Sequence, residues 1–493
     1  MNNRNFGLLV CVVLTSITGV FADQYAVSIS EKNVRIAHVR AEIEADDGLI
    51  SMNDENVHGL KRGWSTFVEN IRANDKDGRQ LELTYEPTSR WRIAGAVGGP
   101  ITLTYDVRLG HDSVNIRFGD NGAAYANDFG VMWAGRALFI AGRPARDVQV
   151  RFDLPKAWHV TTPWAVKKNQ PNAFVPRGTD DLLNSAFFAG THMSFDLPTG
   201  SATIRFALAG ENVRAMRQMF SDQVDKSMRY YESMFGPPPA AEMLFIAADS
   251  SYWGGEVMGR VISLSVAEGP VAGFNPLDAL AHVISHEIFH LWNSGIEVDD
   301  IESGWAEWLG EGFTAEYFSY VAGLRLGDLD ENAFLSHMAE HWNLYAAKHN
   351  GKLNLMAAGK EKDDNYDLVY SGGFVAAAAL DFEIRSATSN AKKLDDLIPL
   401  LIKRYPRQAA EGGKSKSAAL TMKILLDEVR TLFGESVMQT LKTYVQSPEL
   451  IPFPRVAALA GLEAKEVGKR ITLTRVANPT KSQQAVWMGL RGG

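Results

Sequence analysis

From Asp23 to about Ala209, apolar and polar residues alternate mostly with a period of two. Ile101, Leu103, Tyr105, Val107 and Leu109 alternate cleanly with polar neighbours, and Val114, Ile116 and Phe118 repeat the pattern. Val34, Ile36, Ala37, Val39, Ala41 and Ile43 give a broken version of it. Such a period sets one face of a strand on a core and the other in water, which predicts half-buried strands of antiparallel sheets. The clusters Asp75-Lys76-Asp77-Gly78 and Gly119-Asp120-Asn121-Gly122 read as turns between them. Ala202 to Leu208 reads as the last strand of this part.

After Gly210 the period becomes helical. Val213–Phe235 predicts a helix closed by Gly236-Pro237-Pro238-Pro239, and Met243–Ala247 a buried strand. A glycine-rich stretch follows, Trp253 to Arg260, then an apolar run from Val261 to Val266. Further helices are expected at Asn332–Ala347, Phe374–Ala387, Asp395–Arg404 and Ser417–Phe433, with Ile451-Pro452-Phe453-Pro454 breaking the last and opening a tail.

Between these lies His286-Glu287-Ile288-Phe289-His290. Positions i and i+4 share a helix face, so both imidazoles can reach one metal ion. Glu287 sits about 100° round the axis, where it can touch a water on the metal without being a ligand. Helical context is present: Asn275-Pro276 reads as an N-cap with proline at the first turn, Leu277, Leu280, Ala281, Ile284 and Ile288 form an apolar stripe, and Asn293-Ser294-Gly295 is a stop. Catalytic zinc takes three protein ligands and keeps one position open. Glu311, 21 positions after His290 (311 − 290), is the third candidate, in Trp308-Leu309-Gly310-Glu311-Gly312-Phe313-Thr314. A His286–His290–Glu311 set would hold one Zn²⁺ per chain and lower the pKa of a bound water towards ~7.

Other residues admit a chemical and a plain reading. His282, one turn before His286, is either a partner behind the ligands or a core histidine. Glu307, one turn before Glu311, either holds the free N–H of a ligand histidine or is a surface carboxylate. Tyr366 and Tyr370 are candidate donors to an oxyanion or simply structural. Gly254-Gly255 suits either a close backbone approach to substrate or a tight turn. Trp292, Trp305 and Trp308 read as packing around the metal helices.

The chain has 493 residues, 46% hydrophobic and 22% charged, enough for several cores. A net charge of −8 argues against nucleic acid as a main partner. Arg4, the apolar run Phe6–Phe21 and the small-residue end at Ala22 read as a cleaved signal peptide over residues 1–22. The single cysteine, Cys11, lies inside it, so the mature chain is expected to be free of thiols, as suits a secreted or periplasmic bacterial protein with no stable membrane insertion.

With these residues in hand the chain resembles the glycyl aminopeptidase family, gluzincin peptidases related to aminopeptidase N and leukotriene A4 hydrolase. His286-Glu287-Ile288-Phe289-His290-Leu291-Trp292-Asn293 resembles the family's H-E-x-x-H-x-W-N helix. Trp308-x-x-Glu311-Gly312-Phe313-Thr314 resembles its third-ligand helix, and Tyr370-Ser371-Gly372-Gly373 with Leu380–Arg385 its Y-x-K-G and L-D-x-x-I-R segment. The resemblance implies His286, His290 and Glu311 as zinc ligands, Glu287 as general base and Tyr370 as oxyanion donor. Three features depart from it. The family's G-G-L-E-H, whose glutamate meets the substrate's amino terminus, is here Gly254-Gly255-Glu256-Val257-Met258, with a glutamate one position early and no histidine. The lysine of Y-x-K-G is Gly372, and residues 451–493 are too few for the family's PDZ domain.

The expectation is an α+β multidomain chain. A β-sandwich-like N-terminal domain spans 23–209, a thermolysin-like α/β and helical catalytic domain 210–450, and a tail 451–493. The expected activity is zinc-dependent hydrolysis of peptides or proteins, as an aminopeptidase with Glu256, Gly254 and Gly255 meeting the substrate. A zinc endopeptidase, or a binding scaffold on a peptidase fold, stands as the alternative.

Overall fold

The computed structural model describes residues 22–45, 47–52, 60–95, 99–111, 122–267, 276–299, 304–407 and 419–492. The leader through Phe21, the strand at Val114–Phe118, the first three residues of the Gly119–Gly122 turn, the N-cap Asn275 and the helix start at Ser417 lie outside the described residues.

The N-terminal part is built as the period of two requires. Strand Asn33–Glu44 buries Ala37, Val39, Ala41 and Ile43, and strand Pro100–Arg108 buries Ile101, Leu103, Tyr105 and Val107. Strand Asp23–Ser30 lies between two partners, parallel to Val148–Asp153 (Val27 opposite Phe152) and antiparallel to Asn33–Glu44 (Val27 opposite Val39). Among the described residues these strands belong to an eight-stranded sheet, and a four-stranded sheet through Gly130–Ala134 and Ala186–Gly190 closes the same apolar core.

A second, five-stranded sheet carries the half of the chain that follows. Its order is Met193–Thr199, Ala202–Ala209, Glu242–Ser250, Val261–Ala267 and, at the edge, Gly254–Met258. Ala202–Ala209 pairs in parallel with Glu242–Ser250, Phe206 opposite Phe245, so it belongs to this sheet and does not close the first. The boundary therefore falls near residue 191, before Met193, and not at 209. The sheet is covered on both faces, which is why its central strands read as unbroken apolar runs. Ile204, Phe206, Phe245, Ile262 and Leu264 face the helices, while Ala207, Leu244, Ile246, Met258 and Val261 face the N-terminal core.

Against the first face pack the helices Arg217–Phe235 and Pro276–Asn293, and Glu331–Lys348 and Tyr366–Thr388 extend the same apolar core beyond them. The last begins eight residues before the expected Phe374 (374 − 366), since Gly372 and Gly373 continue the helix. No described helix is long and apolar enough to cross a membrane. Residues 451–493 are not a loose tail. Strands Leu462–Val467 and Arg470–Arg475 and helix Lys481–Leu490 dock on the catalytic helices, with Trp487 buried and Asn343 bonded both ways to the Ile471 backbone at 3.1 and 2.7 Å.

Candidate metal centre

Helix Pro276–Asn293 buries Leu280, Ile284 and Ile288, and this fixes His286 and His290 on a neighbouring face. Their Nε2 atoms stand 3.1 Å apart. Glu311 completes a triangle: its Oε2 is 3.4 Å from His286 Nε2 and 3.2 Å from His290 Nε2. Tetrahedral zinc with N and O ligands at about 2.1 Å sets neighbouring donors about 3.4 Å apart, so the triangle fits that ion. The structure thus brings the three sequence-predicted ligands together, and the set is the one among the described residues that leaves both Nε2 atoms facing one carboxylate oxygen.

The far sides of the ligands are held as well. His290 Nδ1 lies 3.0 Å from Asn293 Oδ1, and the Asn293 amide donates to Gly310 O at 2.8 Å, tying the first metal helix to the second. His286 Nδ1 stands 2.8 Å from Glu316 Oε2, at ion-pair distance though out of line for a full hydrogen bond. With Nδ1 carrying the proton in each ring, Nε2 presents its lone pair to the metal. Glu316 is in turn met by His282 Nε2 at 3.3 Å and His341 Nε2 at 3.4 Å. A carboxylate behind the ligand histidines is therefore present, but it is Glu316. Glu307 instead pairs with Lys362 at 3.1 Å, and Lys362 reaches Glu311 Oε1 at 3.2 Å.

Local structure explains why Glu316 was not read from the sequence. Residues five apart on an α-helix point about 140° from each other. Leu309–Glu316 is a π-helix, whose i→i+5 pattern turns both Glu311 and Glu316 towards His286. Lys362 lies in the charged run Lys360–Asp364, which reads as solvated surface.

Burial opposes charge on all these groups, yet Glu311 and Glu316 outweigh it and lift His286 well above the usual histidine range. Burial likewise works against the Glu311 carboxylate, but His290 and Lys362 hold it well below its ordinary value. The negative charge that draws a proton to His286 draws a divalent cation equally. Glu287, 6% exposed, is raised by burial against the opposing pull of His286 and His290.

Glu287 is packed against the edge strand Gly254–Met258. A Cβ on Gly255 would lie 2.3 Å from Glu287 Oε1, so glycine here makes room for the candidate base and is not part of a turn. Tyr370 stacks on His286, centroids 6.2 Å apart, and on the exposed Tyr366 at 4.1 Å. Its helix comes this close because Gly312 and Gly373 meet backbone to backbone: a Cβ on Gly373 would be 2.8 Å from Gly312 Cα. Burial first, then the charges of Glu311 and Glu287, raise the Tyr370 phenol well above its ordinary pKa, so it stays a donor. Gly372 faces Leu355 and Tyr345, where no side chain would reach the metal triangle. Trp292, Trp305 and Trp308 are buried packing residues.

Glu256 does not join the cluster. Successive strand residues point to opposite faces; Gly255 faces Glu287, so Glu256 faces the N-terminal domain, where its Oε2 accepts the Gly122 N–H at 2.9 Å. The position that G-G-L-E-H gives to glutamate is Val257.

Residues 24–191 match the Peptidase M61 N-terminal domain. That match ends where the sheet topology places the boundary. Solved structures share the fold. An aminopeptidase N family protein from Idiomarina loihiensis superposes with TM-score 0.74 at 16% identity, over 90% of this chain and 79% of that one. An M1 zinc metallopeptidase from Deinococcus radiodurans gives 0.51 at 15%, over 88% and 95%. Yeast leukotriene A4 hydrolase gives 0.54 at 14%, over 90% and 70%. No curated protein matches the sequence.

Proposed function

We propose that the protein hydrolyses peptide bonds at a zinc ion held by His286, His290 and Glu311. The observation that carries this is the triangle of 3.1, 3.2 and 3.4 Å between their donor atoms, with a buried carboxylate, Glu287, next to it in sequence and outside it in space. Zinc bound there supplies Lewis-acid polarisation and lowers the pKa of water. Glu287, its proton affinity raised by burial, is suited both to take a proton from the attacking water and to deliver it to the leaving amine. The protonated Tyr370 phenol donates to the oxyanion that forms on the scissile carbonyl. Asn293 and Glu316 keep the two imidazoles in the required tautomer.

Cleavage from the amino terminus is supported by the likeness of fold to an aminopeptidase N family protein. Cleavage within chains is the second reading, and the orientation of Glu256 favours it. We also propose export, on the strength of Arg4 and the apolar run Phe6–Phe21. The test of the main reading is metal analysis of the purified protein alongside hydrolysis of a peptide library. About one zinc per chain is expected, lost in His290→Ala, with cleavage that tracks zinc content. A metal-free wild type, or cleavage indifferent to zinc, would sink it.

A further inference from the structure

The edge strand Gly254–Met258 lies beside Glu287, and its two faces meet different surroundings. In register, Gly255 is opposite Leu264 and Val257 opposite Ile262, both on the helix side; Met258 is opposite Val261, on the N-terminal side. Val257 packs with the core that contains the metal helix, while Met258 belongs to the N-terminal core. The strand thus turns Gly255 and Val257 to the metal side and Glu256 to the other.

The Glu256 carboxylate is occupied there. It accepts the Gly122 N–H at 2.9 Å and lies near Arg136, itself 9% exposed, whose guanidinium burial pushes below its ordinary pKa while the Glu256 charge offsets part of that fall. It fastens the edge strand to the N-terminal domain. Of the carboxylates around the triangle, Glu311 and Glu316 are engaged by histidines and Glu307 by Lys362, while Glu287 is the candidate base. An α-ammonium brought against Val257 would lose water without gaining an anionic partner, which is costly. A chain that continues past this point, or is capped, brings a neutral amide instead. The strand's outer edge has no partner among the described residues, so an extended chain can pair along it.

We propose that Val257 is the specificity residue of this strand and that the site cleaves peptides without calling for a free α-ammonium, as an endopeptidase or on amino-blocked chains. The proposal rests on the peptidase reading above.

The test compares kcat/KM on one peptide with a free amino terminus and on its acetylated twin, using zinc-loaded wild type, Val257→Glu and Glu256→Gln. The same two peptides are titrated into Glu287→Gln, which binds without cleaving. Wild type should treat the pair within about threefold, in both rate and affinity, and Glu256→Gln should leave that ratio unchanged. Val257→Glu places a carboxylate on the metal side and should shift the ratio about tenfold or more towards the free amine. A wild type favouring the free amine by more than threefold overturns the inference while leaving the peptidase reading intact. Cleavage of neither peptide by zinc-loaded protein overturns the peptidase reading and the inference with it.

Discussion

Glu316 Oε2 lies 2.8 Å from His286 Nδ1, and the same carboxylate is shared with His282 and His341. One buried anion therefore orients a ligand imidazole and is itself pinned by two further rings. Glu316→Gln keeps the shape and removes the charge. Loss of such a partner behind a metal ligand is worth about 10–100-fold in metal affinity. Zinc titration against a competing chelator should show that weakening, with Glu307→Gln unchanged within about twofold. Equal zinc affinity in wild type and Glu316→Gln would mean that His286 is oriented by packing alone.

Glu287 and Tyr370 are expected to act on turnover and not on metal content. Glu287→Gln should lower kcat by ~10²–10⁴-fold, the usual worth of a general base. Tyr370→Phe keeps the stacking on His286 and Tyr366 and removes one oxyanion donor, worth ~10²–10³-fold in kcat. Both losses should fall on kcat with zinc unchanged, because each interaction strengthens only in the transition state. Should Tyr370→Phe stay within about twofold, Tyr366 becomes the candidate donor.

The contact between Gly312 and Gly373 sets how near Tyr370 comes to the metal side. A Cβ on Gly373 would meet Trp308 O at 2.7 Å and Gly312 Cα at 2.8 Å, both backbone atoms of a packed helix that cannot swing aside. Overpacking of this kind costs about 1–3 kcal/mol. Gly373→Ala should therefore lower the melting temperature by several degrees and reduce kcat with it, whereas Gly310→Ala, with nothing within 4 Å of its Cβ, should change neither. Matching melting curves for the two variants would show the helix contact to be slack.

Where side-chain period alone decides, the sequence was legible. The alternation at Ile101–Val107 and the i, i+4 spacing of His286 and His290 carry over directly, and so does the run Trp308–Thr314. What the sequence hides lies in pairings between distant residues. Ala202–Ala209 reads as a half-buried strand of the first sheet; its parallel partner Glu242–Ser250, 40 residues on (242 − 202), assigns it to the second. Glu316 depends on a π-helix that no α-helical period reveals. The resemblance to G-G-L-E-H puts Glu256 at the substrate although it stands one position early, but a strand alternates, and a shift of one residue moves a side chain to the opposite face. The same rule makes Val257 the residue to test.

His192 sits away from the metal and gives the fold a pH dependence of its own. It is 3% exposed, its Nε2 is 2.7 Å from Thr161 Oγ1, and its ring stacks on His159 at 4.1 Å. Burial, then the nearby His159 and Arg214, pull its pKa down to about 3. In the unfolded chain a histidine titrates near ~6.5. Between those two values the unfolded state takes up a proton that the folded state refuses, so stability falls as pH falls from ~6.5 towards ~3, by at most about 1.4 kcal/mol per pH unit. His192→Gln keeps a polar atom in reach of Thr161 and cannot titrate. It should be less stable than wild type at pH 7, having lost the stacking, yet lose less on going to pH 5. Over the ~1.5 units below 6.5 the difference between the two proteins should narrow by up to about 2 kcal/mol. Carboxylates and the histidines distant from His192 titrate in both proteins and cancel in that comparison; His159, stacked on His192, does not, and His159→Gln in both backgrounds removes its share. Urea unfolding at pH 7 and pH 5, with zinc saturating in each case, measures it; parallel pH profiles would show that His192 is protonated in the folded protein after all.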